Sequence, residues 1–262
     1  CKYIPEEELW FQFEMALGEL DEYQVQEENA PYYLDYGDEN WKDSANHDFQ
    51  FMVEQDLAFA SDIPYYFKKW IEQIDTNVLP LVSKRIINNT CKILNFNYTD
   101  TLERAYKVPA ENILYIHGKA LSSKKLVVGH HDISTFQYGA VSPFNAAEEH
   151  GIYIQDDDED FRITETKEII KAYFQKTYKD TFGIIQMNQI FFDSLININE
   201  IFILGHSLSS VDMDYFVEVR KRVLPSCKWY ISYFSENDLD NMEYFVKRLE
   251  IKNFQPVILS DL

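Results

Sequence analysis

Between Cys91 and Gly118 the sequence reads CKILNFNYTDTLERAYKVPAENILYIHG, and this stretch constrains the fold more than any other. Cys91–Leu94 is a short apolar run, long enough for a buried strand. The small polar side chains of Asn95-Phe96-Asn97-Tyr98-Thr99-Asp100 can bond their own backbone and cap a helix. Thr101–Tyr106 has helical spacing, and Ile113–Ile116 is a second strand that ends on His117-Gly118. Strand, polar loop, helix, strand and polar tip make one βαβ unit. In such units ligands gather where strands end and loops begin. This places a candidate site at Asn97, Asp100 and His117.

The same grammar recurs. Leu126–Val128 opens into Gly129-His130-His131, and Ile201–Leu204 opens into Gly205-His206-Ser207. Helical spacing follows over Val211–Val223, with Asp212 close to its start. Trp229–Phe234 is rich in β-formers, Ser235–Asp238 suits a helix cap, Leu239–Leu249 reads as a helix and Phe254–Leu259 as a last strand. Upstream, Leu9, Trp10, Phe13, Leu17 and Leu20 line one face of a helix over Glu6–Leu20 that ends near Gly18. Asp21–Asn46 is acidic and reads as an irregular surface segment. Phe49–Phe67 reads as a helix broken before Pro64, with Phe67–Ile74 continuing the rhythm. Ile133–Glu159 lacks periodicity and reads as loop, and Thr164–Phe192 is helical with a turn near Gly183.

Alternation of strands and helices points to an α/β fold, a Rossmann-like three-layer arrangement with a mostly parallel sheet. The expected organisation is one domain over residues 1–262. Residues 1–85 supply a mainly helical segment, and residues 86–262 an α/β core with a loop-rich insertion near 133–163.

The formal charge of −20, from 44 acidic and 24 basic residues, repels phosphate backbones and argues against broad nucleic-acid binding. Three cysteines without CxxC spacing fit a reducing, cytoplasmic setting. No apolar run approaches the roughly 20 residues of a membrane span. The chain starts on Cys rather than Met, so an N-terminal truncation is expected.

The polar tips carry the chemistry. The Asn97 amide can orient a ribose hydroxyl or a water. Asn95, Thr99 and Asp100 either join that site or cap the helix at Thr101. His117 is either a proton acceptor or a satisfied structural residue, and Gly118 beside it allows close approach. Gly205, His206 and Ser207 lie between strand and helix, where free N–H groups attract anions; Asp212 serves that pocket or simply starts the helix. Gly129-His130-His131-Asp132 lacks the spacing of a metal set, so no metal is expected. Nucleophile-elbow, zinc-protease and Walker signatures are absent from the sequence.

NFNYTDTLERAY, YIHG, LVVGHH and IFILGHSLSSVDMDYF, with LWFQFEMALGELD ahead of them, together resemble the AbiH family of bacteriophage abortive-infection proteins. Members of that family usually begin with a strand and a Gly-Asn-Gly-Phe-Asp motif, which this sequence lacks. A more distant resemblance is to sirtuin-like nucleotide-binding folds. It implies that Asn97 orients NAD or water, that His117 is the general base, and that Gly205 and Ser207 belong to the cofactor loop. Tyr98 and Thr99 separate Asn97 from Asp100, and the sequence has no four-cysteine zinc module, so protein deacylation is disfavoured. The resemblance implies an anti-phage defence protein with NAD or a related nucleotide as ligand and NAD hydrolysis as candidate activity. The alternative is a non-catalytic module that senses a nucleotide or phage-derived trigger and acts through protein partners, including further copies of itself.

Overall fold

The computed structural model describes residues 10–83, 86–131 and 160–262. In chain order its first elements are α1 (Trp10–Ala16), α2 (Glu22–Asn29), α3 (Asp48–Leu57), α4 (Phe59–Ile71), β1 (Ile93–Asn95), α5 (Thr101–Ala105) and β2 (Ile113–Tyr115). Then come α6 (Phe161–Thr177), α7 (Thr181–Met187), α8 (Gln189–Asp193), β3 (Glu200–Ile203), α9 (Met213–Arg222), β4 (Lys228–Tyr233), α10 (Glu236–Arg248) and β5 (Phe254–Ile258). The chain divides into two compact units. The first is Cys1–Ile63 with Val128–Lys179, and the second is Pro64–Val127 with Asp180–Leu262.

The first unit is mainly helical where described, with one parallel bridge between His130 and Tyr178. Phe49, Val53 and Leu57 step by four along α3, and Ile170, Tyr173 and Phe174 form the inward stripe of α6; both close on Leu17, Leu20 and Val25. One buried ion pair sits among them: Lys179 Nζ lies 2.8 and 3.0 Å from the two carboxylate oxygens of Glu14. The Gly129 N–H donates to the same carboxylate, at 3.3 Å. A Cβ on Gly129 would stand 2.1 Å from the Thr177 carbonyl, so only glycine lets these backbones approach.

The second unit holds all the described strands. β1 pairs with β2 in parallel, Ile93 opposite Ile113, and α5 crosses between them. β3, β4 and β5 form a separate parallel sheet in that order, with α9 and α10 as crossovers. One apolar core backs both sheets: Ile116, Ile203 and Ile231 share a cluster with Phe216 and Val219 of α9, with Phe245 of α10 and with Leu249 just after it, while Leu94 and Leu114 pack against that cluster. Ser235 and Asp238 close α10 with the capping box its sequence suggested.

The α/β class with parallel strands is therefore observed, as two short ladders among the described residues rather than one continuous sheet. β5 leaves four of its five residues exposed, so its faces are not covered as a doubly wound sheet would require.

Several local expectations are corrected. Asp21–Asn46 is irregular only in part, over 33–42: Asp21 Oδ1 accepts from the Gln24 N–H at 2.9 Å and starts α2. That helix buries Val25 beside polar Gln26 and Asn29, so apolar periodicity could not reveal it. The break in Phe49–Phe67 falls at Ala58, and Pro64 lies inside α4, at the boundary between the units. Gly183 is not a turn; its N–H bonds Asp180 Oδ1 in the first turn of α7, and a Cβ there would meet Asp180 Oδ2 at 2.2 Å. Leu126–Val128 forms no strand; the Val127 N–H instead bonds the His117 carbonyl. The insertion read near 133–163 lies outside the described residues up to 159, and from Phe161 it is helix.

Candidate functional site

The tips of β1, β2 and β3 come together within the second unit. β1 ends on Asn95, whose Oδ1 accepts from the Asn97 N–H at 3.0 Å. This local turn leaves Asn97 exposed and places Phe96 and Tyr98 on either side of it against His117, at ring separations of 5.7 and 6.0 Å. Phe96 also meets His206 edge-on at 4.4 Å and stacks on Phe216 at 5.2 Å. The aromatic side chains thus bind the first tip to the second and third.

His117 follows β2 and is 2% exposed. Its Nε2 lies 3.2 Å from Asp212 Oδ1. The distance is that of an ion pair, but the angles miss hydrogen-bond alignment, so Nε2 makes no hydrogen bond to the described protein. Gly118 follows at φ +88°, with the space for a Cβ limited by the Lys125 carbonyl.

The third tip is held from both sides. Gly205, at φ +62°, donates its N–H to Ser232 Oγ on β4 at 2.8 Å. His206 Nδ1 accepts from the Leu208 N–H at 2.9 Å, which puts the proton of a neutral ring on Nε2. That nitrogen faces Asp212 Oδ2 at 3.5 Å. Leu208 pays for the turn with φ +57°, a backbone region side chains avoid, and is retained by its burial in the core. One carboxylate therefore collects two imidazoles, each on its own oxygen.

Other sequence candidates serve local structure. Asp100 binds Arg104 Nε at 2.7 Å rather than capping α5 with its side chain. Burial raises its carboxyl, but hydrogen bonds from Thr76 and Arg104 outweigh this and hold it below the usual range. Thr99 shares a hydroxyl contact with Thr101 at 3.0 Å. Gly205 is exposed, with open space where a Cβ would stand, and Ser207 is half-buried. His130 and His131 lie in the first unit, their ring nitrogens 3.2 Å from the carbonyls of Phe174 and Lys179. Among the described residues no group of three or more His, Cys, Asp or Glu side chains is placed to hold a metal ion.

Sequence reasoning missed Phe96, Tyr98 and Ser232, and it missed the meeting of His117 with Asp212. Phe96 had a signal, an aromatic residue between two asparagines at a strand end. Ser232 had another, a hydroxyl inside the otherwise apolar and aromatic run Trp229–Tyr233.

These features define an α/β protein whose parallel strands end in polar loops around a buried imidazole–carboxylate cluster. The chain belongs to the bacteriophage abortive infection AbiH family, whose family model matches residues 2–233. The matched span contains all three tips. No curated protein and no solved structure matches the chain. Among the described residues no helix is long and apolar enough to cross a membrane.

Proposed function

We propose that this abortive-infection family member binds NAD or a related nucleotide over the three tips and hydrolyses the bond between ribose and nicotinamide. The observation that supports this reading is the 3.2 Å contact of His117 with Asp212, with Phe96, the neighbour of Asn97, in ring contact with both His117 and His206. Water adds to the ribose carbon as the glycosidic bond breaks. Nicotinamide leaves with the bonding electron pair, and the water proton goes to a base. Asn97 orients water or ribose from the rim. His117 takes the proton, and Asp212 stabilises the imidazolium that forms. The turn at exposed Gly205 and half-buried Ser207 receives phosphate oxygens. This reading implies a sirtuin-like, three-layer fold around the pocket.

The near-complete burial of His117 favours a second reading, a nucleotide sensor without turnover. Hydrolysis requires the aromatic cover of Phe96 and Tyr98 to part when ligand binds. Incubation with NAD, with free nicotinamide followed by chromatography, separates the two. Turnover that disappears in both Asn97→Ala and His117→Ala, with thermal midpoints retained, supports the enzyme. Calorimetric binding without nicotinamide release supports the sensor. Absence of both binding and release overturns the site assignment.

A further inference from the structure

The acidity of this protein is confined to one of its units. Residues 1–63 and 128–179 contain 27 acidic and 7 basic residues, while residues 64–127 and 180–262 contain 17 of each. Together these make up the chain's 44 and 24, so the first unit carries the whole formal charge of −20 and the second is neutral. Such a field attracts cationic surfaces and speeds their encounter.

Within that acidic unit α3 and α6 border a groove of about 490 Å³. Glu54, Glu165 and Glu168 line it, all exposed, and Phe51 and Ile169 contribute apolar surface. Phe51 is 54% exposed. Among the described residues Glu168 pairs with a solvent-exposed lysine, Lys171 at 3.3 Å, a contact of little strength in water. Gln50 is the one buried side chain of the lining, at 6% exposure. Its Nε2 donates to the Asn46 carbonyl at 2.6 Å and to Glu165 Oε2 at 2.8 Å. Those two acceptors fix the amide's orientation and leave Oε1 with no hydrogen-bond partner among the described residues. The lining thus combines three carboxylates, an unmatched acceptor and an apolar patch. This is complementary to a side chain with an aliphatic stem and a cationic head.

We infer that the α3–α6 groove is a docking site for a lysine- and arginine-rich, amphipathic segment of a partner protein. The basic heads meet Glu54, Glu165 and Glu168, and the stems or a neighbouring apolar residue cover Phe51 and Ile169. This site lies in the other unit from the nucleotide tips and does not depend on their assignment.

The test uses the whole chain and a fluorescein-labelled peptide of Lys-Lys-Leu repeats, read by fluorescence anisotropy at low salt and at about 0.5 M NaCl, where screening is strong. Two triple variants remove the same charge from the same unit. One is Glu54→Gln, Glu165→Gln and Glu168→Gln. The other is Glu19→Gln, Glu27→Gln and Glu39→Gln, at exposed positions outside the groove. The expected result is at least a roughly tenfold loss of affinity in the first and less than about twofold in the second, a difference above ~1 kcal/mol. Phe51→Ser, which changes no charge, should weaken binding several-fold, and thermal midpoints check that each variant is folded. Equal losses in the two triples would mean a diffuse field and no groove. Equal losses, unchanged binding in Phe51→Ser, or no binding by the parent chain at low salt would each overturn the proposal.

Discussion

Replacing Glu14 by Gln tests how the first unit is held together. The Lys179 ammonium is fully buried, and the Glu14 side chain is 7% exposed. Both carboxylate oxygens lie within 3.0 Å of Nζ. Glutamine keeps the volume and one acceptor but removes the negative charge that faces the ammonium in a low-dielectric site. Breaking one side of a buried pair costs about 3–5 kcal/mol. The remaining amide oxygen places Glu14→Gln near the lower end, about 3 kcal/mol, and a fall in thermal midpoint on the order of 10 °C follows. The double variant Glu14→Leu with Lys179→Met should recover most of the loss. Apolar replacements of a buried pair are often neutral, and the Gly129 N–H is the described backbone donor that gives up its Glu14 acceptor. The assay is a double-mutant cycle by urea unfolding under circular dichroism, with hydrogen exchange at α1 and α6 as the local reading. A cost below about 1 kcal/mol for Glu14→Gln, or a double variant as unstable as the worse single, would refute the reasoning.

Two glycines separate space from conformation. Gly129→Ala, whose new Cβ would sit 2.1 Å from the Thr177 carbonyl, should lower soluble yield or cost several kcal/mol, about the size of a core disruption. Gly205→Ala meets nothing within 4 Å and should fold with a loss of about 1 kcal/mol from its φ of +62°. Ser232→Ala removes the acceptor of the Gly205 N–H and should cost about 1 kcal/mol, with faster amide exchange at Gly205. Hydrogen bonds from Arg162 hold the Asp160 carboxyl below its ordinary range. Its stabilisation is therefore present above about pH 4 and is lost as pH falls through the folded value, so Asp160→Asn should flatten acid unfolding there. Burial and then Asp160 push Tyr33 up to about 12. Its contribution is lost as pH rises from about 10 towards that value, and Tyr33→Phe should flatten alkaline unfolding in the same window.

The second unit was more legible in the sequence than the first. Apolar runs such as Ile201–Leu204 followed by polar tips and helical spacing mark a βαβ crossover, and the parallel ladders follow from that order. The division of the strands into two sheets was not legible, because hydrogen-bond partnership between distant strands leaves no local pattern. α2 escaped notice because its stability rests on an Asp21 cap, on Val25 and on Asn29 bonded to Val25 and Asp56. These are polar contacts across 27 residues or set by a single apolar side chain. In the candidate site, residue types at strand ends pointed to His117, His206 and Asp212 one by one. Their meeting depends on Phe96 filling the space between tips about a hundred residues apart in sequence, which spacing alone does not encode.

β5 lies at the border of its sheet, and Pro256 sits opposite Ile231 in the register. The Trp229 N–H bonds the Asn253 carbonyl, so position 253 and every second residue after it direct their backbone groups to β4. Position 256 therefore turns its nitrogen away from β4, to a side with no strand among the described residues, and in proline that nitrogen carries no hydrogen. An incoming strand would lack a donor at the centre of β5, which blunts this border as a template for extending the sheet with another chain. In an acidic protein that exposes Phe254 and Ile258 on the same strand, this guards against assembly into fibres.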